Sequence, residues 1–167
     1  FKELYQEENQ KKDFVNECSI ETDLEVLIPD DYITNITERL KIYKELDNIS
    51  EEKDLDSMAK ELRDRFGKIP QPTMDLFDIV RLRKVAKEYA VEKLVLKREK
   101  LLLTFTSNEK SDFYSSNKFQ DVLMFVQRYP QHCQMKEVNN ILTLTIQNIK
   151  TVQKALEVFN TISIKSN

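Results

Sequence analysis

Glycine is nearly missing from this chain. One, Gly67, stands among 167 residues, and that scarcity excludes whole chemistries. A Walker A loop, a dinucleotide fingerprint and a nucleophile elbow each need at least two glycines, because backbone must press against phosphate or turn sharply. Tryptophan is absent, histidine occurs once and cysteine twice. No zinc-ligand spacing links Cys18, His132 and Cys133, and a Cys–His catalytic pair would have to be assembled from Cys18 and His132. Two cysteines make no disulfide framework, which points to a reducing cytoplasm. No apolar run approaches the ~20 residues that span a bilayer, and no signal peptide is visible. Carboxylates are plentiful but uncommitted to any second catalytic partner. The expectation is a fragment that is not itself an enzyme, with no catalytic residues, cofactor, metal or membrane contact.

What the chain does have is charge and helical periodicity. Apolar residues make up 40% and charged residues 33%, which suits one globular domain or two small packed lobes. The net charge of -3 hides an asymmetry. Residues 1–66 carry 10 Lys/Arg against 19 Asp/Glu, while residues 67–167 carry 16 against 10. Such segregation can serve docking or merely solvate different faces. The start, FKELYQEENQ, already reads as helix, as if the chain were a piece of a longer protein.

After a polar loop at ENQKKD, CSIETDLEVLIP alternates like a strand ending at Pro29. Asp30 or Asp31 is the expected cap of a helix through DYITNITERLKIYKEL, with Ile33, Ile36, Leu40 and Tyr43 as its apolar stripe. A further helix is expected after Ser50, with Glu51 and Glu52 favoured in its first turn by the helix dipole. Its buried seam is Leu55, Met58, Ala59, Leu62 and Phe66. Gly67 follows as the residue expected in the left-handed closing position, where a Cβ costs about 1 kcal/mol. Pro70 blocks continuation, and Pro72 suits the first turn of the next helix. That helix, TMDLFDIVRLRKVAKEYA, is apolar around most of its circumference and is expected to be central.

The rhythm then changes. KLVLKR and LLLTFT read as strands joined near Glu99–Lys100, and KFQDVLMFVQRY as a helix stopped by Pro130. CQMKEV and ILTLTI read as strands meeting at Asn139–Asn140, residues that tolerate the positive φ of tight hairpins. IKTVQKALEVFNTI closes the chain as a helix with Ile149, Val152, Leu156 and Phe159 on one face. The predicted class is α+β: a mainly helical lobe over residues 1–92, then a ββαββα lobe over 93–167 with a small antiparallel sheet and packed helices.

Taken in order, RLKIYKEL, ELRDRFGKIPQP and RLRKVAKEYAVEKL resemble the C-terminal regulatory domain of the bacterial transcription-repair coupling factors. The I-P-x-x-Y-I pattern of that family is matched by Ile28, Pro29, Tyr32 and Ile33, and R-L-x-x-Y by Arg39, Leu40 and Tyr43. E-L-x-D-R-F-G-x-x-P is matched by Glu61, Leu62, Asp64, Arg65, Phe66, Gly67 and Pro70. PQH at Pro130–His132 adds to the likeness, whereas Ala90 stands where the family commonly has glycine before the next strand. The resemblance implies a multidomain ATP-dependent DNA translocase as parent. Such a parent pushes off stalled RNA polymerase and recruits excision repair. It also implies that this domain folds back on the parent's N-terminal repair-recruitment module, masking the site for the damage-recognition subunit of the excision nuclease. In that picture Glu61 and Asp64 face basic residues of that module.

At about 100° per residue, Asp54, Ser57, Glu61 and Asp64 form an outward stripe away from the seam. Periodicity leaves open whether the stripe meets arginines or water, and Glu61 can pair with Arg65 for only ~0.3–0.5 kcal/mol. Arg39, Tyr43, Arg65, Phe66, Gly67 and Pro70 are assigned to structure first, because motifs at helix ends fix packing. The rival is a nucleic-acid-binding module using residues 81–100, where Arg81, Arg83, Lys84, Lys87, Lys93, Lys97, Arg98 and Lys100 meet only three acids. Against it stand an overall pI near 5.4 and the absence of tryptophan.

Overall fold

The structure, a computed structural model, describes residues 13–164; the expected first helix at FKELYQEENQ lies outside them. Among the described residues there are five α-helices and one sheet of five strands. In chain order they are β1 (Ser19–Thr22), α1 (Ile36–Asp47), α2 (Glu52–Phe66), α3 (Gln71–Glu88), β2 (Val91–Lys97), β3 (Lys100–Phe105), α4 (Asn117–Arg128), β4 (Cys133–Val138), β5 (Ile141–Gln147) and α5 (Val152–Ser163). A single 3-10 turn, Asp112–Ser115, leads into α4. The α+β class therefore holds.

The sheet order is β1-β2-β3-β5-β4. β2 to β5 pair antiparallel, in two hairpins whose turns use positive φ at Arg98–Glu99 and at Asn139–Asn140. To these the structure adds β1, paired in parallel with β2, Ile20 opposite Leu94. The expected strand through Pro29 is thus only four residues long. Asp23 ends it: its carboxylate takes the Arg98 N–H at 2.9 Å, while its own N–H donates to Leu96 O at 3.3 Å. The chain then leaves the sheet for the helical hairpin.

Alternation along the strands separates the sheet faces. Leu94 and Leu96, Leu101, Leu103 and Phe105, and Leu144 and Ile146 are buried together with Leu82, Ala86, Phe125, Ala155 and Phe159 of the helices. Lys93, Lys97 and Lys100 lie on the opposite, open face.

A second core lies under α1 and α2. Ile28, Ile33, Ile42, Leu46, Leu55, Met58, Leu62 and Ile69 pack there against Phe77 and Val80 of α3. Ile79, Leu82 and Ala86 of the same helix enter the sheet core. Its all-round apolar pattern is explained: α3 is shared by both cores.

The expected α1 differs. Its cap is Asn35, whose side chain accepts the Glu38 N–H at 3.1 Å, not Asp30 or Asp31, which sit in the preceding turn. Ile33 is buried but precedes the helix, so it cannot share a helical stripe with Ile36 and Leu40. Those two are 62% and 61% exposed, and Ile42 and Leu46 form the inward face instead. In α2 the cap position is Glu51, with no side-chain cap bond. The seam of Leu55, Met58 and Leu62 is buried, with Ala59 and Phe66 packed at its edge.

Candidate functional site: the acidic face of the α1–α2 hairpin

The sequence motifs converge where α1, α2 and α3 meet. Helix α2 ends because Gly67 adopts φ 87°, ψ -162°. This is not the left-handed helical conformation expected from the sequence. It is an extended conformation with positive φ, open essentially to glycine alone. Its N–H still reaches Arg63 O at 3.0 Å, and its carbonyl accepts the Tyr32 hydroxyl at 2.9 Å. The same hydroxyl lies 3.2 Å from Leu62 O. By donating its one proton to the Gly67 carbonyl, with Leu62 O close by, the phenol holds ψ at Gly67 and ties the turn before α1 to the end of α2. Pro70 then caps α3, its carbonyl taking the N–H groups of Thr73 and Met74 at 3.0 and 3.1 Å.

Arg39 and Tyr43 hold the path into this corner. Arg39 Nη1 donates to Ile33 O at 2.6 Å and Thr34 O at 3.2 Å. The Tyr43 hydroxyl accepts the Ile28 N–H at 2.7 Å. Thr73, fully buried, donates to Leu27 O at 3.0 Å. Each bond satisfies backbone where the segment between β1 and α1 has no ladder of its own.

On the outer side, Asp54, Glu61 and Asp64 are all exposed along one face of α2. The structure also brings in a residue that sequence reasoning missed. Arg65 Nη1 lies 2.7 Å from Glu38 of α1 and 3.5 Å from Glu61 of α2, and its guanidinium sits 4.7 Å from the Phe66 ring centroid. The pattern Asn35-x-x-Glu38 is a helix-start signature and could have placed Glu38 in the first turn of α1. Its partner 27 residues away could not be read from spacing.

The other flank of α2 is clamped to α3. Glu52 meets Arg81 through contacts of 2.7 and 3.0 Å, and Arg81 Nη1 reaches Asp78 at 2.8 Å. The Arg81 hydrogen bond holds the Glu52 carboxyl below its ordinary range. Arg81 belongs to the basic run at 81–100, and much of that run is similarly engaged. Arg83 faces Asp47 at 3.8 Å, Lys87 faces Asp13 at 3.8 Å, and Lys93 and Lys97 share Glu21 at 3.4 and 3.5 Å. These cations are divided between α3 and the sheet.

The Cys18–His132 pair is not assembled. Cys18 precedes β1 at one edge of the sheet and His132 precedes β4 at the other. Four inter-strand steps separate those edges, roughly 19 Å. Burial pushes the Cys18 thiol up to about 11, against the opposing pull of Arg83 and Lys87. Among the described residues no group of three or more His, Cys, Asp or Glu side chains could hold a metal ion. Nor is any described helix long and apolar enough to cross a membrane.

Fold and site together define a small α+β domain that presents a charged helical hairpin, packed on a helix shared with the sheet core. A family profile described as the TRCF domain matches residues 22–116, which span the hairpin, α3 and the first sheet hairpin. The chain belongs to that family, the C-terminal domain of transcription-repair coupling factors. It is 31% identical to the Escherichia coli transcription-repair-coupling factor over 121 residues, 70% of this chain and 10% of that protein. With the Rickettsia conorii factor it shares 27% identity over 151 residues, 84% of this chain and 13% of that protein. The chain thus spans about a tenth of the length of these curated relatives. A solved structure described as the C-terminal domain of transcription-repair coupling factor superposes with a TM-score of 0.71 at 20% identity, covering 88% of this chain and 92% of that one. That likeness supports the fold.

Proposed function

We propose that this chain is an autoinhibitory docking domain of a transcription-coupled repair translocase, and that Asp54, Glu61 and Asp64 form the acidic half of an intramolecular latch. The partner is the parent's own N-terminal repair-recruitment module. Docking masks the surface that otherwise binds the damage-recognition subunit of the excision nuclease. ATP hydrolysis, DNA translocation and the encounter with stalled RNA polymerase belong to other parts of the cytoplasmic parent. The domain acts without catalytic residues or cofactor of its own.

The observation that carries this reading is the division of labour on α2. Its seam and both ends are committed to the fold, while Asp54, Glu61 and Asp64 stand exposed on a braced face. A latch needs only modest affinity. A tethered domain sees an effective concentration of about 1 mM. An intrinsic Kd of roughly 10–100 μM then favours the closed state about 10–100-fold, or about 1.4–2.7 kcal/mol. Engagement of polymerase or DNA elsewhere can reverse a gap of that size. The nucleic-acid reading loses ground because Arg81, Arg83, Lys87, Lys93 and Lys97 already have carboxylate partners.

The test is binding of the damage-recognition subunit to full-length parent carrying Glu61→Ala and Asp64→Ala together. Unmasking predicts tighter apparent binding, by up to about the 10–100-fold closed-state bias. Binding as weak as in the unaltered parent would remove both residues from the latch.

A further inference from the structure

We infer that Arg65 is a positioning residue for the latch, holding Glu61 in the orientation that meets the partner; the inference rests on the docking reading above. One nitrogen, Nη1, faces two carboxylates from different helices, Glu38 at 2.7 Å and Glu61 at 3.5 Å. The stronger contact is to Glu38, whose side chain is only 25% exposed and whose N–H is capped by Asn35. The guanidinium also rests 4.7 Å from the Phe66 ring, and that ring packs 5.9 Å from Tyr32, the residue bonded to Gly67. Arg65 is therefore pinned from two sides by parts of the fold. Its third neighbour, Glu61, is 58% exposed and has no other ionic partner among the described residues.

A free surface glutamate samples several rotamers and gives up that freedom on docking. Leaning on a fixed guanidinium, Glu61 has less freedom to lose. Positioning and plain charge predict opposite signs here. Removing a cation beside an acidic face should, by charge alone, strengthen association with a basic partner. If Arg65 positions Glu61, removing it weakens association.

The experiment titrates the 167-residue chain with the parent's N-terminal repair-recruitment module, comparing unaltered protein with Arg65→Ala, Arg65→Lys, Glu61→Ala and the Glu61→Ala/Arg65→Ala double variant. Thermal melts of each verify folding. The expected result is a Kd raised about three- to tenfold by Arg65→Ala. Arg65→Lys should recover only part of the loss, because lysine keeps the charge without the planar fork. With Glu61 already removed, Arg65→Ala should add nothing, the mark of coupling between the pair. Tighter or unchanged binding by Arg65→Ala, full recovery by lysine, or additive losses in the double variant would overturn the positioning role while leaving the latch intact. Glu61→Ala without effect would also overturn the positioning role, whereas the latch itself falls only if Glu61→Ala and Asp64→Ala together leave binding unaltered, so the two failures are told apart.

Discussion

Gly67 carries its backbone geometry alone. A Cβ built there meets no heavy atom within 4 Å, so the penalty for any other residue is conformational and not steric. Gly67→Ala should lower unfolding stability by about 1–3 kcal/mol, read as a shifted denaturant midpoint with unchanged slope. An unmoved midpoint would mean the turn relaxes freely. The helix stop was legible because a lone glycine before two prolines has few other uses. The φ/ψ well it occupies was not, since the Tyr32 hydroxyl that selects ψ comes from 35 residues upstream. Ala90 shows the complementary case. It holds φ 58° while fully buried, accepting a conformation that glycine adopts without strain.

At the scale of elements, the α2–α3 clamp makes a pH-dependent prediction. The Glu52 carboxyl is lowered from its ordinary value of 4.5, first by its hydrogen bond to Arg81. A depressed carboxylate contributes stability above its unfolded value and loses it as pH falls through the folded one. The loss begins as pH drops past 4.5 and is complete below the depressed folded value. Glu52→Gln should therefore flatten the acid limb of a stability-versus-pH curve in that window. The effect will be modest, because the Glu52 side chain is 58% exposed and solvent screens the pair. A curve parallel to that of the unaltered protein would show the clamp contributes nothing. Elements with strong local signals were legible: the Asn139–Asn140 hairpin, the α2 seam and Pro72 in the first turn of α3. The α1 face was misread because Ile33 keeps helical spacing without being helical. The brevity of β1 was hidden because Asp23, which ends it, bonds to a turn 75 residues away.

At the scale of the whole molecule, the described residues form two apolar cores with one helix common to both. Phe77 and Val80 complete the hairpin core; Ile79, Leu82 and Ala86 complete the sheet core. Loosening either core therefore disturbs the other through α3, and the chain should unfold in one step. Leu62→Ala, which empties a fully buried site in the hairpin core, is expected to cost about 2–5 kcal/mol. Hydrogen exchange should report that loss equally in α2 and in β3. Loss confined to the hairpin would reveal two separable units. The charge asymmetry of the sequence reappears here as internal pairing, with Asp13, Glu21, Asp47 and Glu52 of the acidic half each against a cation of the basic half. Linear charge counts could not show this, because the pairing is made by tertiary folding.

Sharing α3 also limits how small a working piece can be. A peptide cut to α1 and α2 would leave Leu55, Met58 and Leu62 facing water, without Phe77 and Val80 to cover them. Adding α3 would bare the side of that helix made for the sheet. Anyone wishing to display the acidic ridge on a smaller scaffold must carry nearly the entire domain along with it.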